Sequence, residues 1–192
     1  GIFNAINTTY KFLTNKELRE STIAISGVGK VGSKLSKLLF EKKANLIVSN
    51  IGRDPIDQLK HDKISFTEFD INSIFEQECD IISPCALGGV INSKTKKKLK
   101  CKAIVGAANN QLDKSETAEW LKENNIFYAP DYLVNSGGVI AISCEINNSE
   151  DTLDDQLNKI CDKVLSLLKE SKESSLSTDK IVEDLAWKRI NI

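Results

Sequence analysis

Hydrophobic positions along the chain recur with two alternating spacings. Ile2, Ile6, Tyr10 and Leu13 follow one another at intervals of four, four and three residues, which predicts an amphipathic helix. Six short apolar runs come later, and each is typical of a strand. In chain order these runs cover residues 22–26, 46–48, 64–69, 80–82, 103–105 and 126–128, the third of them weakly.

Helical segments are predicted between the apolar runs. The first includes Val31, Leu35, Leu38 and Leu39, which are expected to face inward, and others cover 71–77, a basic segment over 92–100 and 114–124. Strands that alternate with helices predict an α/β fold with a doubly wound, mostly parallel sheet. The continuous apolar character of 46–48 supports this fold, because a parallel strand is covered on both faces.

Only helices are predicted after the last strand. The pair Gly137-Gly138 lies near the start of one, and a longer helix carries an apolar stripe at helical spacing. The stripe consists of Leu153, Leu157, Ile160, Val164 and Leu167. A serine-rich break over 171–177 precedes a final helix, for which Thr178 is the expected cap. Ile181 and Leu185 of that helix are expected to face inward.

The pattern predicts a single domain of ordinary size. It consists of a leading helix at 1–20, a sheet-forming core at 21–131 and C-terminal helices at 132–192. The chain contains no methionine and begins with Gly1, so we expect it to be part of a longer protein.

Composition and charge exclude several classes of function. The 192 residues carry a formal net charge of −1, which gives no overall field to attract nucleic acid or an anionic membrane. No apolar run approaches the ~20 residues of a membrane-spanning helix, so the cytoplasm is the expected location. The lysines between 94 and 102 have no interleaved aromatic residues, and we interpret them as a solvated surface. The five cysteines are scattered and there is one histidine, His61, so neither a disulfide framework nor a metal site is expected.

The strongest chemical signal is Gly27-x-Gly29-x-x-Gly32, which follows a predicted strand and opens a predicted helix. The first glycine permits a tight turn, the second lets the backbone approach a pyrophosphate, and the third allows close packing of helix on strand. Free N–H groups at the helix start favour an anion. We therefore predict a Rossmann-like fold that binds a dinucleotide through this loop. The loop residues are Gly27, Val28, Gly29, Lys30, Val31, Gly32 and Ser33.

The end of the second predicted strand indicates which dinucleotide is bound. An acidic residue about 20 positions after the first glycine would accept the adenosine ribose hydroxyls. The chain has Asn50 there, which can bond a hydroxyl but does not repel a 2′-phosphate. Arg53 could pair with such a phosphate, although a solvated loop position is the simpler interpretation. NAD is the expected cofactor, and NADP stays open.

Three later segments resemble one enzyme family. They are CDIISPCALGGVIN at 79–92, GAANNQL at 106–112 and APDYLVNSGGV at 129–139. They are similar to segments of the glutamate, leucine, phenylalanine and valine dehydrogenase family, and most of all to its leucine-dehydrogenase-like branch. The resemblance runs from Gly1 to about Ile190. It implies that the chain is the C-terminal, NAD-binding domain of an amino acid dehydrogenase.

The resemblance also implies roles for single residues. Cys85, Ala86 and Ala107 would line the nicotinamide end of the cofactor. Asn110 would contact the nicotinamide ribose or carboxamide, and Asn135 would lie near the backbone of the amino acid substrate. All but Asn135 follow predicted strand ends, where open α/β sheets bind ligands. A turn-forming role is the alternative for each asparagine.

The helix after the paired glycines indicates the substrate. In glutamate dehydrogenases this helix offers a serine to the side-chain carboxylate of the substrate, and Ile142 stands at the corresponding position. If Val139 and Ile142 face the pocket, a carboxylate there would be uncompensated, which is costly. An apolar, branched-chain L-amino acid is therefore favoured. The alternative is that both residues only pack the domain.

The implied reaction is the reversible oxidative deamination of an L-amino acid to a 2-oxo acid. In the family the lysine general base, an assisting aspartate and a carboxylate-binding lysine lie in an N-terminal domain, and no lysine here occupies a matching motif. We therefore expect the chain to bind the dinucleotide without turning over substrate. The parent enzyme is expected to be a homo-oligomer and these residues alone a monomer.

A non-catalytic dinucleotide sensor is the alternative function. It is disfavoured because a sensor need not keep the nicotinamide-side and substrate-side segments.

Overall fold

The computed structural model describes residues 1–147, 149 and 152–190, without the side chains of Val139, Asp154, Arg189 and Ile190. The strands are β1 (Thr22–Ser26), β2 (Asn45–Ser49), β3 (Thr67–Glu68), β4 (Ile81–Pro84), β5 (Ala103–Ile104) and β6 (Phe127–Tyr128). The helices are α1 (Ile2–Thr14), α2 (Lys30–Glu41), α3 (Arg53–His61), α4 (Ser115–Glu123), α5 (Asp131–Val134), α6 (Gly137–Ile146), α7 (Leu153–Glu173) and α8 (Thr178–Ile190). Single 3-10 turns cover Leu18–Glu20, Ile74–Glu76 and Lys96–Lys98.

All six strands pair in parallel within one sheet, in the order β3-β2-β1-β4-β5-β6. The chain steps outward from β1 to β3 on one side and from β4 to β6 on the other, so the strand order reverses between β1 and β4. This is the doubly wound, Rossmann-like architecture that the sequence predicts. Ligands bind such sheets outside the carboxyl ends of the strands at the reversal point.

Both faces of the sheet are covered by apolar cores. Ile23 and Ile25 of β1 belong to one core, together with α1, α2, α3 and α7, whereas Ala24 belongs to a second core with α4. Successive side chains of a strand point to opposite faces, so one strand serves both cores. Most of the stripe predicted on α7 lies in or against the first core, namely Leu157, Ile160, Val164 and Leu167.

Two helices, α3 and the four-residue α5, were not predicted from the sequence. The first of them, α3, places Arg53 in its first turn instead of in the loop that we expected. Only Ile56 and Leu59 of α3 are buried, so its apolar stripe is too narrow to stand out from the sequence pattern. The segment between the second and third strands is therefore more regular than its composition indicates.

Three predicted elements are shorter than expected. The basic segment at 92–100 forms a single 3-10 turn instead of an α-helix, the strand at 64–69 shrinks to β3, and the helix at 71–77 shrinks to another 3-10 turn. In the basic segment Asn92 Oδ1 accepts a hydrogen bond from the backbone N–H of Thr95 at 3.2 Å. Side-chain bonds of this kind compete with the helical backbone bonds.

The last helix differs from its prediction in two details. Ser177, which precedes α8, accepts a hydrogen bond from the N–H of Lys180 at 3.4 Å, so the cap is Ser177 and not Thr178. Ile181 is buried as predicted, but Leu185 is 41% exposed, because only the first turns of α8 pack against the sheet and its helices. None of the described helices is both long and apolar enough to cross a membrane.

Candidate functional site

The glycine loop lies at the carboxyl end of β1, where the strand order reverses. Gly27 has a φ of +98°, and a Cβ on it would lie 2.4 Å from the Cβ of Ala86. A Cβ on Gly32 would lie 2.0 Å from the carbonyl oxygen of Gly27. Both distances are far below van der Waals contact, so the turn after β1 and the close approach of α2 require glycine.

Gly29 faces open space. Among the described residues, no heavy atom outside its immediate neighbours lies within 4 Å of a Cβ built on it. Gly29 directly precedes α2, which begins at Lys30, and the first N–H groups of a helix lack partners inside that helix. Their partial positive charge favours an anion. The bare backbone at this helix start therefore fits a pyrophosphate group.

Asn50 follows β2 and holds the loop in shape. Its Oδ1 accepts a hydrogen bond from the N–H of Val28 at 3.0 Å, and its Nδ2 donates to the carbonyl of Gly52 at 2.9 Å. An amide has two donor hydrogens and two lone pairs, so these bonds leave capacity for a ribose hydroxyl. Sequence reasoning missed this structural role, because it links residues 22 positions apart.

The guanidinium of Arg53 forms salt bridges with two carboxylates. Its Nη1 lies 2.5 Å from Oε1 of Glu68, and its Nη2 lies 3.4 Å from Oδ1 of Asp57. Lys60 also contacts Glu68, at 3.1 Å. The hydrogen bond from Lys60, together with the charge of Arg53, lowers the pKa of Glu68, so this carboxylate is ionised at neutral pH. The positive charge of Arg53 is thus already paired with carboxylates of the protein itself.

The segment after β4 forms the neighbouring wall of the site. The N–H of Cys85 donates to the carbonyl of Ser26 at 2.8 Å and extends the pairing of β4 with β1. The thiol of Cys85 lies 3.5 Å from the hydroxyl of Ser83, and burial raises its pKa, so it is a neutral thiol. Ala86 is exposed and lies against Gly27. The structure therefore places Cys85 and Ala86 beside the glycine loop.

The loop after β5 lies next along the sheet and is fixed by side-chain bonds. Gln111 is fully buried, and its Nε2 donates to the carbonyls of Gly106 and Ala108 at 2.9 and 3.0 Å. Asn110 has a φ of 52°, and its carbonyl accepts a hydrogen bond from the N–H of Gly89 at 2.7 Å. This bond joins the segment after β4 to the loop after β5.

Asn135 reaches the same loop from the end of α5. Its Nδ2 donates to the carbonyl of Ala107 and to Oδ1 of Asn109, both at 2.8 Å. Ile142 lies on α6 and is 59% exposed. The side chain of Val139 is outside the described part of the structure. Asn135 thus joins the residues that follow β5, while Ile142 stands on an open helix surface.

These segments match a known enzyme family. The sequence pattern of the Glutamate/Leucine/Phenylalanine/Valine dehydrogenase family matches residues 48–184. The chain belongs to this family. The match includes both segments that follow β4 and β5, and it confirms the resemblance drawn from the three sequence motifs.

Relatives in this dehydrogenase family align along the whole chain. It is 37% identical to the phenylalanine dehydrogenase of Thermoactinomyces intermedius, over 99% of this chain and 53% of that protein. It is 35% identical to the leucine dehydrogenase of the same organism, over 100% of this chain and 53% of that protein. The crystal structure of L-tryptophan dehydrogenase from Nostoc punctiforme matches with a TM-score of 0.93 at 32% identity, over 99% of this chain and 58% of that one. The chain spans about half the length of the curated relatives it matches.

Sequence reasoning gave no role to two residues of the dehydrogenase motifs that organise the site. They are Gln111, which bonds two carbonyls of its own loop, and Asp131, whose Oδ2 accepts a hydrogen bond from the N–H of Asn110 at 2.9 Å. Their residue types were visible in the motifs. The partner of Asp131, however, lies 21 residues away, and no local spacing indicates it.

Proposed function

We propose that this chain is the dinucleotide-binding domain of an NAD-dependent amino acid dehydrogenase. The enzyme catalyses the reversible oxidative deamination of an apolar L-amino acid to a 2-oxo acid and ammonia. The observation that carries this proposal is the glycine loop: it lies where the strand order reverses, and Gly29 exposes bare backbone at the start of α2. Because the chain belongs to the dehydrogenase family, a nicotinamide dinucleotide is the expected ligand of that loop.

The two halves of the dinucleotide are held by different segments. Gly27–Ser33 binds the pyrophosphate, and Asn50 contacts the adenosine ribose. The nicotinamide end is lined by Cys85, Ala86, Ala107 and Asn110. When bound, NAD⁺ supplies a hydride acceptor for the Cα hydrogen of the amino acid. The contribution of these residues is orientation, since the backbone bonds that fix both segments restrict the approach of the reacting atoms.

NAD is favoured over NADP by the charges beside Asn50. Glu68 and Asp57 neutralise the guanidinium of Arg53, which is the cation nearest to Asn50 along the chain. A 2′-phosphate would have to compete with these two carboxylates for Arg53. Glu68 is ionised and adds repulsion to any phosphate that approaches Arg53.

An apolar substrate is supported by α6 and by the relatives. Ile142 is an exposed apolar residue of α6, at the position where the resemblance places a substrate-contacting serine in glutamate dehydrogenases. The relatives are named for phenylalanine, leucine and tryptophan, all of which have apolar side chains. Asn135 contacts the backbone of the amino acid with the part of its amide that is not bonded to the loop.

These 192 residues bind the dinucleotide without turning over substrate by themselves. By the family resemblance, the general base and the carboxylate-binding lysine belong to another segment of the enzyme. No lysine of this chain lies in a matching motif. The chain therefore positions the cofactor, and a separate domain activates the water and orients the substrate.

Calorimetry and an amination assay test this proposal together. Isothermal titration of the folded chain with NADH and with ADP-ribose is expected to give binding of both. Mixing the chain with NADH, ammonia and a branched-chain 2-oxo acid is expected to give no NADH oxidation above the protein-free rate. Failure of both ligands to bind would overturn the proposal. NADH oxidation above that rate would overturn the inference that catalysis requires a separate domain.

A further inference from the structure

The short helix α5 holds the loop after β5 through two of its side chains. Asp131 and Asn135 stand four residues apart at the ends of α5, and both reach that loop. Asp131 Oδ2 accepts a hydrogen bond from the N–H of Asn110 at 2.9 Å, while Asn135 Nδ2 donates to the carbonyl of Ala107. The loop between these contacts therefore takes its position from α5 as well as from β5.

A buried tyrosine orients the carboxylate of Asp131. The hydroxyl of Tyr128 donates to Asp131 Oδ1 at 2.9 Å, so both carboxylate oxygens have a donor. Burial, with the charge of Asp131 added, raises the pKa of Tyr128, and its hydroxyl is therefore protonated at every physiological pH. Since Tyr128 ends β6, the orientation of Asp131 is set by the sheet itself.

The bond from Asp131 helps to hold the backbone of Asn110 in place. Asn110 has a φ of 52°, in the left-handed region that asparagine adopts more readily than most other residues with a side chain. Its carbonyl is held by the N–H of Gly89 and its N–H by Asp131. Both polar groups of its backbone are thus held by other segments of the chain, which fixes the point from which its exposed side chain extends.

We propose that Asp131 is a positioning residue for the nicotinamide half of the cofactor. It acts through the backbone of Asn110 and does not touch the dinucleotide. This inference rests on the proposed function, in which Asn110 contacts the nicotinamide ribose or carboxamide and Gly27–Ser33 binds the pyrophosphate. It follows that loss of the Asp131 carboxylate weakens the nicotinamide contacts and leaves the contacts of the ADP half intact.

The comparison of NADH with ADP isolates this effect, because ADP lacks both the nicotinamide and the ribose that carries it. Asp131→Ala is expected to raise the Kd for NADH about tenfold, the size expected for one hydrogen bond to a charged group. The Kd for ADP, which has neither of these groups, is expected to change by less than about twofold. Asp131→Asn is expected to recover most of the NADH affinity, because its Oδ1 can still accept the N–H of Asn110 while its Nδ2 donates to Tyr128.

Asp179 provides a matched control. It also accepts a hydrogen bond from a tyrosine hydroxyl, that of Tyr132 at 3.1 Å, and it lines the same shallow surface pocket as Asn110 and Asp131. Within the described part of the chain it makes no hydrogen bond to the loop at 106–111. Asp179→Ala is expected to keep both Kd values within about twofold of the original chain.

The outcomes separate this inference from the proposed function. If the original chain binds neither ligand, the proposed function fails and this inference fails with it. If the original chain binds both, but Asp131→Ala weakens both equally or neither, the positioning role is overturned and the proposed function stands. If Asp131→Ala does not fold, Tyr128→Phe serves instead, and it is expected to weaken NADH selectively by a few-fold. An equal effect of Tyr128→Phe on both ligands would likewise overturn the role.

Discussion

The three glycines of the loop differ in what surrounds them. Gly29 has open space around a built Cβ, whereas Gly32 has the carbonyl oxygen of Gly27 at 2.0 Å. Gly29 also has a φ of −68°, which alanine can adopt. Ligand access and protein packing can therefore be tested separately at neighbouring positions of one loop.

Replacing each of these two glycines by alanine should give different results. Gly29→Ala is expected to leave the free energy of unfolding within about 0.5 kcal/mol and to weaken ADP-ribose binding about tenfold or more. Gly32→Ala is expected to cost about 1–3 kcal/mol of stability in addition to binding, because α2 must move away. Urea unfolding and calorimetry measure the two effects. Unchanged ADP-ribose binding by Gly29→Ala would argue against a pyrophosphate at this loop.

The cofactor preference depends on the carboxylate of Glu68. Glu68→Gln removes the charge beside Arg53 and is expected to raise the affinity for NADPH about two- to fivefold, as for one exposed ion pair. The affinity for NADH should change little. Fluorescence titration with both cofactors measures the ratio. Glu76→Gln removes a carboxylate that pairs with Lys98 instead, and serves as the control. An equal change for both cofactors would exclude a role for Arg53 in selectivity.

Asp179 links stability to pH. Burial has the largest effect and raises the pKa of Asp179. The hydrogen bond from Tyr132 lowers this pKa, and the negative charges of Asp131, Glu183 and Glu119 raise it further, so that the pKa is raised overall. Because the folded chain holds a proton more tightly here than the unfolded chain does, stability falls as the pH rises from the ordinary aspartate pKa, about 3.9, through the raised value.

The corresponding variant has a pH-dependent effect. Asp179→Asn keeps an oxygen that accepts from Tyr132 and carries no charge. It is expected to be more stable than the original chain at neutral pH, with the difference disappearing toward pH 4. Urea unfolding of both chains across this range gives the difference directly. A constant difference at every pH would show that the titration of Asp179 is not its cause.

Among the helices, α7 and α1 form a layer on the sheet face away from α4. Ile160 of α7 is 1% exposed and lies in the same core as Ile6 of α1. Ile160→Ala is expected to cost about 2–5 kcal/mol, because it leaves a cavity between packed helices. Lys159→Ala, at the exposed neighbouring position, should stay within about 0.5 kcal/mol. Similar losses for both, measured by urea unfolding, would mean that α7 is not packed as described.

The dinucleotide should stabilise the chain as a whole, because only the folded chain presents the glycine loop and the loop after β5 together. NADH at 100 times its Kd is expected to add about 2.7 kcal/mol to the free energy of unfolding. Thermal unfolding at increasing NADH concentrations measures this. Gly29→Ala should show a much smaller shift at the same concentrations. Equal shifts for both chains would place the binding site elsewhere.

Local sequence patterns were sufficient for the strands and most helices. Apolar runs marked β1, β2 and β4 closely, and helical spacing marked α1 and the stripe of α7, since burial on one face repeats with the period of the element. The pattern failed for α3, where only Ile56 and Leu59 are buried. It failed again at 92–100, where Asn92 and its neighbours bond to their own backbone.

The amino acid sequence by itself determined the glycine loop, the alternation of strands and helices and the family, because these depend on residues close together in the chain. Only the tertiary structure determined the strand order, the salt bridge between Arg53 and Glu68, and the hydrogen bonds of Asn50 with Val28 and of Asp131 with Asn110. The three side-chain contacts join residues 15 to 22 positions apart. Such partners meet only when parallel strands bring their carboxyl ends to one edge of the sheet, and this arrangement leaves no periodic trace in the sequence.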